Sequence, residues 1–432
     1  MEKYRIRAKE IKEKMKYVKE ILKRELSSEE EEKVKISLFS YLALLNESTN
    51  IQLSNFLNQI TRGKYSQKGR QECADLESTI VNDYIEGYDY VDDEYLGFLI
   101  DLVNNVAVPG VEEPTFATIN ISSEQLMKMS TIFYNSLGND EIKQGFSQIS
   151  SKPNSISITP KPISEESSFS MGGFCLYDHV YHQPYVTSYK HNNIKDFLIL
   201  NHELMHGIDF LMLEKLYSKT YTGFHETPTY TCDYLTFDFL GQMGFDKNEV
   251  QKLKYEKEAY FCGLASQVQF ELNRRLRKKG IDMTQGYTFE DLKSIIDFDM
   301  MKKMLEVESA VLSYGFYQQI KNDKQQGLTN LTRFMSSNIP KDRAPDFTSF
   351  GLSNDVLLEL SKKITLEQKQ QKQLENSETI EQQNQLQQTN GYVRKLVKPS
   401  VHSRAFISSG LLVILISAIS VMLSIFLLAI TK

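Results

Sequence analysis

The feature that most constrains this chain is the stretch Asn201–Phe210, NHELMHGIDF, which carries His202, Glu203 and His206 in the order H-E-x-x-H. Four residues carry an α-helix only about 40° past a full turn, so the two imidazoles leave one face, one above the other. Apolar residues flank them at helical spacing: Ile194, Phe197, Leu198, Leu200, Leu204, Met205, Ile208, Leu211 and Met212, with Asn192 or Asn193 placed to cap the start. The pattern predicts a largely buried helix. Two histidines and a glutamate there need partners or cost several kcal/mol in desolvation. One metal ion gripped by both imidazoles meets that need, and Glu203 is offset to act as general base toward a water rather than to bind the metal.

The histidine distribution points the same way. His179, His182, His191, His202, His206 and His225 share the middle of the chain, and only His402 lies elsewhere. His179, His182 and His191 fall in strand or loop contexts, where a surface histidine is the common outcome. A catalytic zinc usually takes three protein ligands and leaves a position open, and the candidates for the third are Asp209, Glu226, Asp233, Asp238 and Glu258. Asp209 is too near in sequence to reach the far side of an ion and is better suited to accept the second N–H of a liganding histidine. Glu226 follows His206 after nineteen residues. That gap allows the first helix to finish near Tyr217, a loop through Ser218–Phe224, and a second helix with Thr227 as cap and Pro228 as first position. Tyr221 and His225, just ahead of Glu226, are the candidates to donate to a developing oxyanion. Two imidazoles and one carboxylate suit zinc best among the divalent ions.

These residues resemble a zincin metallopeptidase. HELMH with Glu226 at its distance is similar to the gluzincin pattern HExxH-x19-E of thermolysin-like enzymes, and HELMHGID followed by HETPTYTCDYL resembles the catalytic domain of anthrax lethal factor and related bacterial toxin or effector proteases. The resemblance spans His202–Leu240. It implies zinc held by His202, His206 and Glu226, Glu203 as general base, and Asp209 supporting a ligand from behind. The chain departs from the thermolysin signature around the third ligand, where His225 precedes Glu226 and Pro228 follows, and Asp209 and Met212 exclude the metzincin pattern.

The remaining chain reads as mainly helical. Met1–Glu25 places Ile6, Ile11, Met15, Val18, Ile21 and Leu22 on one face, and Ser27 or Ser28 ahead of Glu29–Glu32 starts a helix through about Leu45. Further helices are expected near Leu53–Ile60, Gln71–Ile85, Tyr95–Val106, from Ser122 or Ser123, over Lys247–Leu276, Phe289–Gln319 and Asn354–Thr365. Ser155–Thr159, Phe174–Val180 and Tyr185–Tyr189 read as short strands, opened by Gly172 and Gly173. An edge strand beside a metal-binding helix is positioned to pair with an extended peptide. The basic run Arg274–Lys279 before Gly280 reads as a helix C-terminus. The expected class is α+β, mainly helical: a zincin-like core with a small mixed sheet packed on the H-E-x-x-H helix, plus one C-terminal transmembrane helix.

That last element is Ala405–Ile430, an apolar run without a charge that exceeds the roughly 30 Å hydrocarbon core at helical rise. Arg394, Lys395, Lys398 and Arg404 precede it and predict a single-pass tail anchor with the body in the cytosol. Glu367–Asn390, dominated by Gln, Glu, Lys and Asn, is a spacer. The expected divisions are a helical region over 1–150, the metallopeptidase core and its following helices over 151–365, a Gln-rich linker over 366–404 and the anchor over 405–430. With 50 basic and 56 acidic residues and no basic stripe, nucleic acid is not an expected partner. Cys73, Cys175, Cys232 and Cys262 form no C-x-x-C pair, consistent with a reduced compartment. Two functions compete at this level. One is a zinc endopeptidase acting on protein or peptide substrates at a cytosolic membrane face, in one form a bacterial effector in a host membrane. The other is an inert tail-anchored helical adaptor.

Overall fold

A computed structural model describes residues 2–21, 23–27, scattered positions from 30 to 41, 91–108, 114–160, 172–213, 222–281, 288–337, 339 and 344–364. The chain divides into two units, Met1–Gln368 and Lys369–Lys432. The second, with the spacer and Ala405–Ile430, lies outside the described residues, as do the helices expected near Leu53–Ile60 and Gln71–Ile85. No helix among the described residues is long and apolar enough to cross a membrane.

The first unit is α+β and mainly helical. Its described elements run α1 (Glu2–Ile21), α2 (Asp93–Val106), α3 (Ser123–Leu137), α4 (Asp140–Ser151), β1 (Ile156–Pro160), β2 (Gly173–Asp178), β3 (Gln183–Lys190), α5 (Lys195–Leu213), a 3-10 turn (Thr222–His225), α6 (Glu226–Gln242), α7 (Lys247–Lys278), α8 (Phe289–Lys293), α9 (Phe298–Asn322), α10 (Lys324–Met335), a second 3-10 turn (Thr348–Phe350) and α11 over 354–364. Local chemistry sets these starts: Asp92, Ser122, Asn139, Asp246 and Asp297 each cap a helix with a side-chain oxygen, and Ser122 with Gln125 completes a capping box. Asp297 also explains a departure from expectation. It accepts from Met300 N and starts α9 afresh, so the helix expected over Phe289–Gln319 is two, α8 and α9.

The sheet is small and mixed, ordered β1-β3-β2, with β1 parallel and β2 antiparallel to β3. β2 is therefore an edge strand, and β3, buried over most of its length, lies against α5. α5 is the centre of the unit: Phe197, Leu200, Leu204, Met205 and Ile208 are fully buried. Gly207 lets α5 approach its neighbours, since a Cβ there would lie 2.8 Å from Ile149 Cδ1 and 3.2 Å from Pro184 Cβ. α6 packs on α5, and α9 packs in turn on α6, with Cys232, Tyr234, Leu240, Val311 and Leu312 buried among them.

The N-terminal helix is tied to the turn between β2 and β3. Ile11, Met15 and Val18 bury the expected stripe. Beside them the buried Lys14 ammonium donates to Gln183 Oε1 at 2.9 Å and to the Tyr185 hydroxyl at 2.5 Å, and lies 3.5 Å from Asp178 Oδ2. Tyr41 donates to the same Asp178 oxygen, and Ser37 Oγ accepts from the His179 and Val180 amides.

Candidate metal centre

α5 and α6 cross so that His202, His206 and Glu226 face one another. His202 Nε2 is 3.5 Å from Glu226 Oε2, His206 Nε2 is 3.5 Å from Glu226 Oε1, and the three ligand atoms all lie within 4.8 Å of one another. This is the one group of its kind among the described residues. Glu226 takes its place differently from expectation: the helix begins at Glu226 itself, with His225 as its N-cap, and Pro228 falls third. A proline is tolerated there because first-turn amides have no intrahelical acceptor.

The spacing fits a metal. Bonds of about 2.0–2.1 Å in tetrahedral geometry put neighbouring ligand atoms roughly 3.3 Å apart. That is close to the 3.5 Å observed here and too long for strong hydrogen bonds between the same atoms. The local charge asks for a cation as well. Glu203, Asp209, Glu226 and Asp233 gather around the two histidines, and the lysine that pairs with this group, Lys257, lies 2.8 Å from Asp233 Oδ2.

Asp233, rather than Asp209, stands behind a histidine of the triad. Its oxygens lie 3.2 and 3.3 Å from His202 Nδ1, which orients the ring and leaves Nε2 facing Glu226. Asp209 pairs instead with His225, Oδ2 to Nδ1 at 2.7 Å. Burial works against charge throughout, and partners decide the outcome. Burial alone would disfavour the imidazolium of His202, yet Asp233 and Glu226 together outweigh it and push the pKa up to about 10. Glu226 is held well below the carboxylate range by His206 and His202 despite burial, and Asp233 is lowered by Lys257 and His202. Burial raises Glu203 and Asp209, beside which no lysine stands among the described residues.

Glu203 lies under the first residues of β2. A Cβ on Gly173 would come within 2.7 Å of Glu203 Cγ and 2.5 Å of the Thr187 carbonyl oxygen, and one on Gly172 within 2.6 Å of Ile199 Cδ1. The glycine pair brings the edge strand down onto the H-E-x-x-H helix.

The other sequence candidates lie elsewhere. His179, His182 and His191 sit on the β2–β3 turn and the loop before α5, where burial lowers His179 to about 4. Asp238 accepts from the Tyr317 hydroxyl at 3.2 Å, and Glu258 lies 3.6 Å from Lys254 Nζ. Tyr221 lies outside the described residues. Sequence reasoning missed Lys257 and the tyrosines around the site. The Lys257 ammonium sits 4.1 Å over the Tyr230 ring, which in turn lies 5.8 Å from the ring of His202. Tyr230 and Asp233 were legible in principle, following Glu226 by four and seven residues on one helix face. Lys257, on a different helix, left no such signal.

No protein-family model matches this chain, and no curated protein matches it. Solved structures do. A crystal structure described as an oligoendopeptidase F from Bacillus anthracis strain Ames aligns with TM-score 0.45 at 11% identity, over 79% of this chain and 75% of that one. PZ peptidase A, solved with an inhibitor, aligns with TM-score 0.44 at 12% identity, over 78% and 76%. A structure described as a peptidase from Chlamydophila abortus aligns with TM-score 0.43 at 12% identity, over 78% of this chain and 61% of that one.

Proposed function

We propose that this protein is a zinc-dependent endopeptidase acting on protein or peptide substrates. The observation that carries the reading is the convergence of His202, His206 and Glu226 with Glu203 beside them on the helix that bears both histidines. Zinc, held by those three side chains, would supply Lewis-acid polarisation of the scissile carbonyl and lower the pKa of water. Glu203, whose proton affinity burial raises, takes the proton of the attacking water and returns it to the leaving amine. Asp233 keeps the His202 ring in register, and Lys257 holds Asp233. His225, anchored through Nδ1 on Asp209, is the proposed donor to the developing oxyanion through Nε2, with Tyr221 as the other candidate. The outer edge of β2, brought close to Glu203 by Gly172 and Gly173, offers backbone groups for an extended substrate.

The proposal extends to a membrane location. Ala405–Ile430 would span the bilayer, residues 366–404 would leash the body to it, and the basic residues before the span favour the cytosolic face. The likeness of HELMHGID and HETPTYTCDYL to toxin proteases carries it further, to a bacterial effector lodged in a host membrane.

Elemental analysis of the full-length chain tests the centre: one zinc per chain is expected in the parent, and loss of it in His202→Ala and in Glu226→Ala. Glu203→Gln should keep its zinc and lose about 10²–10⁴-fold in turnover of a peptide mixture. A well-folded parent that takes up no zinc would overturn the proposal.

A further inference from the structure

A carboxylate outside the triad borders this site. Glu306 of α9 accepts from the Tyr230 hydroxyl at 2.9 Å and from the Tyr260 hydroxyl at 2.7 Å, both on Oε1. Tyr230 stands one turn beyond Glu226 and against His202, so Glu306 is a single phenol removed from a metal-ligating ring. Burial raises both phenols, and the charges of Glu226 and Glu306 raise each further, which places all four side chains in one electrostatic neighbourhood.

The second oxygen of Glu306 is what needs explaining. Among the described residues no lysine, arginine or histidine is in an ion pair with Glu306, although Lys302 and Lys303 stand one turn back on α9. Lys257 lies 2.8 Å from Asp233 Oδ2, and Lys303, one turn back on α9, lies 2.8 Å from Asp299 Oδ2. Tyr230 is buried whereas Tyr260 is 48% exposed, so the group runs from the metal site to solvent. A mere tie between α6, α7 and α9 would need no charge, since an amide oxygen can also accept from two neutral phenols. A carboxylate with one oxygen oriented by two donors and the other open is built to accept from a cation.

We propose that Glu306, oriented by Tyr230 and Tyr260, is a specificity-determining residue that receives a positively charged group of the peptide substrate, an ammonium or a guanidinium. The inference rests on the peptidase reading. The charge has two possible sources, a Lys or Arg side chain at a fixed distance from the scissile bond, or the free α-amine of the peptide.

The experiment is cleavage of a defined peptide library by the zinc-loaded full-length chain in detergent, read by mass spectrometry, with each peptide present in free and acetylated form. Enrichment of Lys and Arg at one position identifies the side-chain source; preference for free over acetylated peptides cut at a fixed distance from the N-terminus identifies the α-amine. In either case Glu306→Gln should lower the ratio of kcat/KM for charged over neutral peptides about tenfold, the scale of a lost charge-assisted hydrogen bond. Glu306→Asp should restore part of it. Zinc content and Tm equal to the parent's establish that Glu306→Gln is folded. No charge preference in the parent, or one that survives in folded Glu306→Gln, overturns the inference and leaves the peptidase reading standing. Absence of any cleavage that Glu203→Gln abolishes overturns both.

Discussion

Asp233 and Glu308 are both buried acids, at 1% and 0% exposure, and the structure treats them in opposite ways. Asp233, behind the candidate metal centre, has the Lys257 ammonium at 2.8 Å and His202 at 3.2 Å, and is held below its usual range. Glu308, on α9 against α2, accepts from the Tyr95 hydroxyl at 2.5 Å, and burial pushes it up to about 8. Equal burial gives opposite charge states because a cation offsets desolvation and a single neutral hydroxyl does not. The charge near α6 serves the site. On α9 Glu308 keeps its proton, and ionising it is a cost the fold carries as pH rises.

The largest expected effect comes from removing that cost. A folded pKa of about 8 against an ordinary 4.5 means the native chain holds a proton that the unfolded chain releases. Stability from this group is therefore full below about 4.5 and is lost as pH rises to about 8. Glu308→Gln keeps the Tyr95 hydrogen bond and should raise stability at pH 8.5 by a few kcal/mol, with little change at pH 4, since each tenfold difference in proton affinity between the folded and unfolded chain is worth about 1.4 kcal/mol. Urea melts of parent and variant at both pH values check this; an equal gain at both would break the contrast.

Lys257→Met attacks the other side of the comparison. It leaves Asp233 with His202 alone and should cost about 3 kcal/mol at pH 7, measured by denaturation of the zinc-free chain. Asp233→Asn should instead weaken zinc binding by about 10–100-fold while the chain stays folded, measured by competition with a chelator. The smallest effect belongs to an exposed pair: Lys362→Ala breaks the 2.7 Å contact with Glu359 on α11 and should change stability by less than about 0.5 kcal/mol.

The sequence made the centre of the fold legible because its signals were local. The H-E-x-x-H helix, the three short strands and the spacing to Glu226 all follow from periodicity and turn chemistry within one continuous stretch, from β1 to the start of α6. What it hid was contact between distant segments. Asp209 looked like the partner of a site histidine because it lies three residues past His206, yet it pairs with His225, and Asp233 meets His202 from the facing helix. Lys257, Glu306 and Tyr260 reach the site from α7 and α9, and nothing in their own surroundings announces it. The break between α8 and α9 was missed for another reason: Asp297 caps a helix inside an apolar-periodic run, and one polar residue there is weak punctuation.

The Lys14 tether sets an order of events during synthesis. Its partners Asp178, Gln183 and Tyr185 lie 164, 169 and 171 residues downstream. At about 5–20 residues per second, α1 leaves the ribosome roughly 10–30 s before the strands that receive its lysine. Until β2 and β3 follow, the Lys14 ammonium cannot reach these partners, and the apolar stripe of α1 lacks that part of its cover.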